Sequence, residues 1–147
     1  MKVVIQRSKK SSVSVYGKLI NKIDKGLCIL VGITPEDTDE DINYLVKKIV
    51  NLRIFDDEEG IMNKSILDSG GEILLISQFT LMANTSKGNR PSYIGAATGE
   101  IAKPLYEKML NMLNNHVKTY GGIFGAEMLV NIENDGPITI IIDSKNK

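Results

Sequence analysis

Two short segments carry residue types that simple packing does not call for. Ser77-Gln78-Phe79-Thr80 closes the apolar run Ile73-Leu74-Leu75-Ile76. Polar groups at such a strand end can face a cleft, and successive backbone N–H groups leaving a sheet can form an oxyanion site. The second segment, Gly136-Pro137, stands in Asn134-Asp135-Gly136-Pro137 just before the apolar run Ile138 to Ile142. Taken alone, that tetrapeptide is an ordinary hairpin signal.

Other chemistry is poorly served. Cys28 is the single cysteine and His116 the single histidine, which excludes an internal disulfide and argues against a Cys/His zinc cluster, while a Cys–His nucleophile pair stays open on the count alone. Cys28 lies inside Leu27-Cys28-Ile29-Leu30-Val31, where a thiol behaves as a small core hydrophobe. His116 follows Asn114-Asn115 near an expected helix end and reads as solvated or capping. Thr80 is a weak nucleophile candidate, because a hydroxyl needs an adjacent base and the histidine is far along the chain. No metal and no cofactor is expected.

The 147 residues are 42% apolar, enough for one packed domain spanning 1–147. Met1-Lys2-Val3-Val4-Ile5-Gln6-Arg7 is interrupted by charge too early for a secretory signal. The longest apolar runs are far shorter than the ~20 residues that cross a bilayer. The reading is therefore cytoplasmic, without a membrane partner. Eighteen basic residues balance eighteen acidic ones, so the molecule lacks the overall excess common in nucleic-acid binders. Their distribution is uneven: Lys2, Arg7, Lys9, Lys10, Lys18, Lys22 and Lys25 face Asp24 alone in the opening stretch, while acids gather at 36–41 and 56–59. A local basic face could hold a few phosphates, although scattered strand lysines are usually plain surface.

The elements that must position these residues follow from periodicity. Strands are predicted at Lys2–Gln6, Ser12–Tyr16, Leu19–Ile23, Gly26–Ile33, Glu72–Ser77, Met128–Ile132 and Ile138–Ile142. Thr38 with Asp41 makes a capping box for a helix whose Ile42, Leu45, Val46, Ile49 and Leu52 share a face. A second helix starts near Glu100–Pro104, with proline in its first turn, and carries Leu105, Met109, Leu110, Met112 and Leu113 on its apolar side. The run Asn84–Tyr93 reads as a loop. Consecutive strands without strict βα alternation predict an α+β fold, a mixed or antiparallel sheet curled towards a barrel with two main helices on one side.

Along essentially its whole length the chain resembles the D-aminoacyl-tRNA deacylases. Ser77-Gln78-Phe79-Thr80-Leu81 and Gly136-Pro137-Ile138-Thr139 correspond to that family's two signatures. The opening Val3 to Arg7, the loop Lys87-Gly88-Asn89-Arg90-Pro91-Ser92 and Phe124-Gly125-Ala126 match as well. The departures are mild: Ile138 replaces a more usual valine, and Tyr93 stands where phenylalanine is common.

The resemblance implies a hydrolase that cleaves the ester of D-aminoacyl-tRNA, and of glycyl-tRNA mischarged on tRNA(Ala), while rejecting L-amino acids. It implies a homodimer whose active site lies at the subunit boundary, Ser77 to Thr80 of one protomer facing Gly136-Pro137 of the other. It further implies a cis Gly136–Pro137 bond whose carbonyls exclude an L side chain. Arg7 would hold this dipeptide, and Phe79 would pack near the terminal adenine of the tRNA 3′ end. In the implied mechanism the tRNA's own 2′-hydroxyl assists attack by water, with N–H groups near Phe79 and Thr80 receiving the oxyanion; direct attack by Thr80 is the competing route. Two rivals stand beside this reading: a relative clearing a small L-amino acid or glycine, and a non-catalytic RNA-binding homologue.

Overall fold

The computed structural model describes residues 1–147. Its organising element is β1 (Lys2–Val15), one continuous strand where two were expected. The intervening polar stretch does not break it, because Ser8 and Ser11 are buried and Ser11 Oγ donates to Ser8 Oγ at 2.8 Å. Tyr16 and Gly17, both at positive φ, make the two-residue turn into β2 (Lys18–Ile23). Such a pair of left-handed residues matches the twist of a tight hairpin. The strand β3 (Gly26–Gly32) is buried almost throughout.

β1 changes partner halfway. Its first half pairs antiparallel with β3, from Lys2 opposite Gly32 to Ser8 opposite Gly26, and its second half pairs with β2. Along its other edge runs β8 (Leu129–Asp143), again one strand where two were expected. β6 (Glu72–Ser77) joins β3 in parallel, and the short β7 (Thr119–Gly121) joins β6 in parallel. The result is a mixed six-stranded sheet in which β2 also reaches across to β7, Asn21 Nδ2 donating to the Gly121 carbonyl at 2.6 Å. That contact curls the sheet into a nearly closed barrel, as the α+β reading anticipated.

Alternation along the strands sorts side chains between two cores. Val3, Ile5, Leu27, Ile29, Val31, Ile73 and Leu75 face the helices, while Val13, Ile23, Cys28, Leu74 and Ile76 fill the curled side. Cys28 is fully buried, and burial pushes its thiol up to about 11. Helix α1 (Asp39–Asn51) starts at the expected box, the Thr38 N–H donating to the Asp41 carboxylate at 2.8 Å, and buries Ile42, Leu45, Val46, Ile49 and Val50.

A small hairpin of β4 (Phe55–Asp56) and β5 (Met62–Lys64) and the single turn α2 (Ile66–Ser69) connect α1 to β6. Helix α3 (Gly99–Asn114) holds Pro104 in its second turn rather than its first, and its deepest residues are Ala102, Tyr106, Met109 and Leu113. Leu105, Leu110 and Met112 flank that stripe half-buried. No helix is long and apolar enough to cross a membrane.

One polar cluster ties the first strand, the last strand and α1 together. The α-amino group of Met1 pairs with buried Asp37 at 2.6 Å and donates to Ser144 Oγ at 3.0 Å. Ser144 Oγ in turn donates to Asp41 at 2.6 Å, and Lys145 Nζ lies 3.0 Å from the same carboxylate. Burial would raise the Asp41 carboxyl, but the bonds from Ser144, the Thr38 N–H and Lys145 outweigh it and hold the group below its ordinary value of 3.8. A carboxyl depressed in the folded state contributes stability above its unfolded pKa, and that contribution is lost as pH falls through the folded one. Urea unfolding followed from pH 7 downwards should therefore show stability declining below about 4, with Asp41→Asn less stable at pH 7 and flatter on the acid side.

Candidate active site

The cleft is a consequence of unequal strand lengths. β7 pairs with β6 only as far as Leu75 opposite Gly121, which leaves the edge of Ile76 and Ser77 uncovered. The Tyr106 hydroxyl, buried under α3, donates to the Leu75 carbonyl at 2.6 Å and so finishes the sheet at that point. Beyond it the backbone turns: the Gln78 N–H still donates to Val31 at 2.7 Å, and Phe79–Met82 then form one 3-10 turn instead of an extended exit. The first N–H groups of such a turn have no partner within it, which leaves those of Phe79 and Thr80 as donors at the end of the sheet.

The uncovered edge opens into a cavity of about 380 Å³. Ser77, Gln78 and Phe79 form one wall, and Phe124, Gly125 and Ala126 form another. Val31, Ile33 and Ile76 of the sheet, Ala97, Gly99 and Ala102 in and just before the first turn of α3, and Met128 and Val130 at the start of β8, one before it and one within it, complete the lining. Two segments far apart in sequence, both singled out by motif, thus meet. Ala97, Gly99, Met128 and Val130 were not anticipated as lining, and their only sequence signal is small size or strand alternation.

Not one of the lining residues is ionisable. Thr80 is not among them, and its hydroxyl accepts a hydrogen bond from Gln78 Nε2. His116 lies beyond the far end of α3, whose first residue borders the cavity; sixteen residues of helix put it on the order of 20 Å away. At the cavity mouth Phe79 is 56% exposed. Its ring meets Tyr93 edge-on at a centroid distance of 5.2 Å, with the planes 77° apart. On the inner side Phe124 leans on Tyr106, centroids 5.7 Å apart, which fixes the second wall.

Arg7, Gly136 and Pro137 stand elsewhere. Between Thr139 opposite Gln6 and Asn134 opposite Ser8 the β8 strand carries extra residues, and the dipeptide is thrown out in that bulge. Arg7 holds the bulge from beneath: Nε lies 3.3 Å from both the Asp135 carbonyl and carboxylate, and Nη1 donates to the Ile54 carbonyl at 2.8 Å. Gly136 has φ +102°, a region that favours glycine. Both residues of the dipeptide are exposed.

The expected cis bond is not present, since no peptide in the chain is cis. Gly136 makes the reversal at positive φ, and Pro137 follows in trans. Arg7 stands opposite Leu27, while Ser77 stands opposite Val31 and three strand spacings separate β8 from β6. Four residues along the strands and three steps across them place Gly136 on the order of 20 Å from Ser77 of the same chain. Within one chain the two signatures do not meet.

A cleft lined without an ionisable side chain, at the end of a curled mixed sheet, is the class of site that the fold defines, and comparison with known proteins supplies the family. A family model described as D-Tyr-tRNA(Tyr) deacylase matches residues 4–143, and the chain belongs to that family. It is 57% identical over 149 residues to a D-aminoacyl-tRNA deacylase of Flavobacterium psychrophilum, covering 100% of this chain and 99% of the relative. It is 60% identical over 151 residues to the deacylase of Bacteroides fragilis, at the same coverage.

Among solved structures, a c-Myc DNA unwinding element binding protein superposes with a TM-score of 0.89 at 43% identity, covering 97% of this chain and 98% of that one. A probable eukaryotic D-amino acid tRNA deacylase superposes at 0.82 and 16% identity, covering 96% and 97%, which shows the shared fold.

A Cβ at position 136 would lie 2.6 Å from Arg7 Nη2 and 3.2 Å from Ile138, in addition to the strained φ. Gly136→Ala should cost roughly 1–3 kcal/mol, seen as a lower thermal midpoint, whereas Pro137→Ala should cost less because the turn is made by the glycine.

Proposed function

We propose that this chain hydrolyses the ester between a D-amino acid and the 3′ end of tRNA, as a homodimer working in the cytoplasm. The observation that carries the reading is the cleft: it borders the family signature Ser77-Gln78-Phe79 and contains no ionisable side chain. A site of that kind has nothing of its own to deprotonate water or a hydroxyl. The substrate has, in the 2′-hydroxyl beside the ester. Water adds to the ester carbonyl, the 2′-hydroxyl relays its proton to the 3′-oxygen, and the bond from carbonyl carbon to that oxygen breaks, releasing amino acid and tRNA. The N–H groups of Phe79 and Thr80 receive the oxyanion, and the Phe79–Tyr93 pair at the mouth offers a face on which the terminal adenine can stack. Ser77 and Gln78 position the ester, with Gln78 also holding Thr80. Direct attack by Thr80 fits less well, because its hydroxyl is engaged by Gln78 and lies outside the cleft lining.

A dimer reconciles the two signatures. Gly136-Pro137 is exposed, braced by Arg7 and too far from its own cleft to serve it, so the partner's dipeptide completes the site. The outer edge of β8 carries no strand partner, and Leu129 and Ile141 on it are about two-thirds exposed; an open edge of that length with apolar side chains is suited to burial against a second copy. Selection against L-amino acids then comes from crowding by the inserted turn, which carries no side chain at Gly136. Glycine escapes the same crowding, so glycyl-tRNA(Ala) is a second substrate on this reading.

Release of D-tyrosine from charged tRNA should exceed release of L-tyrosine by orders of magnitude; comparable rates, or full activity in a form that sediments as a monomer, would overturn the assignment. Thr80→Ala removes one hydrogen bond of about 1 kcal/mol and should slow turnover roughly fivefold, whereas a tRNA ending in 2′-deoxyadenosine should be a far poorer substrate. Abolished turnover in Thr80→Ala with normal turnover of the deoxy substrate would reverse the two roles.

A further inference from the structure

A second depression, of about 730 Å³, lies along the outer side of α1 and the segment that follows it, lined by Tyr44, Lys47, Lys48, Asn51, Leu52 and Arg53. Its character differs from the rest of a chain with no net charge. Lys47, Lys48 and Arg53 are exposed, and none has a carboxylate within 4.0 Å, although seven other ion pairs form in the molecule. A third lysine, Lys147, stands over the Tyr44 ring at 4.5 Å. Lys47 and Lys48, together with an Arg53 whose guanidinium is held by the carbonyl and side-chain oxygens of Asn63 and keeps its charge unneutralised, surround a half-buried tyrosine and an amide. That set suits a sugar–phosphate backbone, which needs positive charge and neutral donors but no carboxylate.

The position is informative as well. Arg53 leads directly into Ile54, whose carbonyl receives Arg7 Nη1 at 2.8 Å, and Arg7 is the residue against which Gly136 rests. The Arg53 end of the groove therefore lies beside the dipeptide, at the end of the sheet remote from the chain's own cleft, and the groove runs from there along α1 to Tyr44 and Lys147. If the partner's dipeptide enters a cleft, the partner's groove arrives beside that cleft with it.

We propose that this groove binds backbone phosphates of the tRNA whose aminoacyl end occupies the cleft of the other protomer. The inference rests on the dimeric deacylase reading above and adds where the body of the substrate lies. It is tested with a K47E/K48E/R53E variant of the full chain. Binding of uncharged tRNA, followed by fluorescence anisotropy across a salt series, should weaken on the order of tenfold to a hundredfold. The slope of log affinity against log salt should flatten by about two to three. Turnover of D-tyrosyl-tRNA should fall through KM, while turnover of D-tyrosyl-adenosine, which has no phosphate backbone to bind, should fall far less.

Unchanged tRNA binding in the variant, or equal loss on both substrates, would overturn the groove while leaving the deacylase reading intact. Loss of tRNA binding in a protein that never hydrolyses D-tyrosyl-tRNA would instead support the groove and sink the activity. A mixed dimer settles which protomer serves which. One chain carries the three groove substitutions with a normal cleft, and the other has a normal groove with its cleft filled by Ala126→Trp. Near-normal KM for D-tyrosyl-tRNA supports service in trans, and a KM as high as that of the uniform variant refutes it.

Discussion

The change of partner along β1 is the constraint on which the rest of the molecule depends. A strand that pairs with β3 for its first half and with β2 for its second cannot stay flat, and the buried Ser8–Ser11 hydroxyl bond lets it bend without leaving a polar group unpaired in the core. The bend carries β2 across to β7 and closes the curled side. It also forces β8, which follows β1 through both halves, to accommodate the bend with extra residues. Those residues are where Gly136 and Pro137 sit. The dipeptide is thus a product of strand geometry, and Arg7, on the stretch of β1 just before the bend, is the side chain placed to hold it.

At the opposite end of the sheet the determining fact is an absence of pairing. β7 is three residues long, so β6 outruns it and ends in an uncovered edge that α3 and the 124–126 turn wall in. The geometry favours preorganised backbone donors over side-chain acid–base chemistry, because a strand end entering a 3-10 turn presents N–H groups in fixed directions. An apolar surround strengthens what those donors can do, since few competing dipoles or waters share the site. The same surround would make an ionised side chain costly, which accounts physically for a cleft lined without one.

Much of this was legible in the sequence because it is local. The Thr38–Asp41 box, the alternation of Val13 and Val15, the buried run of β3 and the loop at 84–93 each follow from neighbouring residues, and the structure places them as expected. What was not legible depends on long-range partners. Ser8 and Ser11 look like a break between two strands until both are seen to be buried against each other. Asn134-Asp135-Gly136-Pro137 looks like a hairpin between two strands until β1 is seen running past it on one side. Pro104 reads as a helix start by local rule, yet Thr98 begins the helix one turn earlier. The trans bond at Pro137 belongs with these: the cis expectation came from resemblance, while the conformation of the bulge is set by the left-handed glycine and the arginine beneath it.

The pairing of β1 with β8 joins the beginning of the described chain to its end, residue 2 beside residue 143. Contacts of such separation are the slowest to form, because loop-closure entropy must be met before they contribute. On a ribosome, β1, β2, β3 and β6 can gather early, but the open flank of β1 waits for the final strand. Until that strand arrives the chain has an unfinished sheet, no bulged dipeptide and only part of a cleft, since Met128 and Val130 come with it. The bulged dipeptide and one side of the cleft therefore take shape only when this longest-range pairing of the fold does.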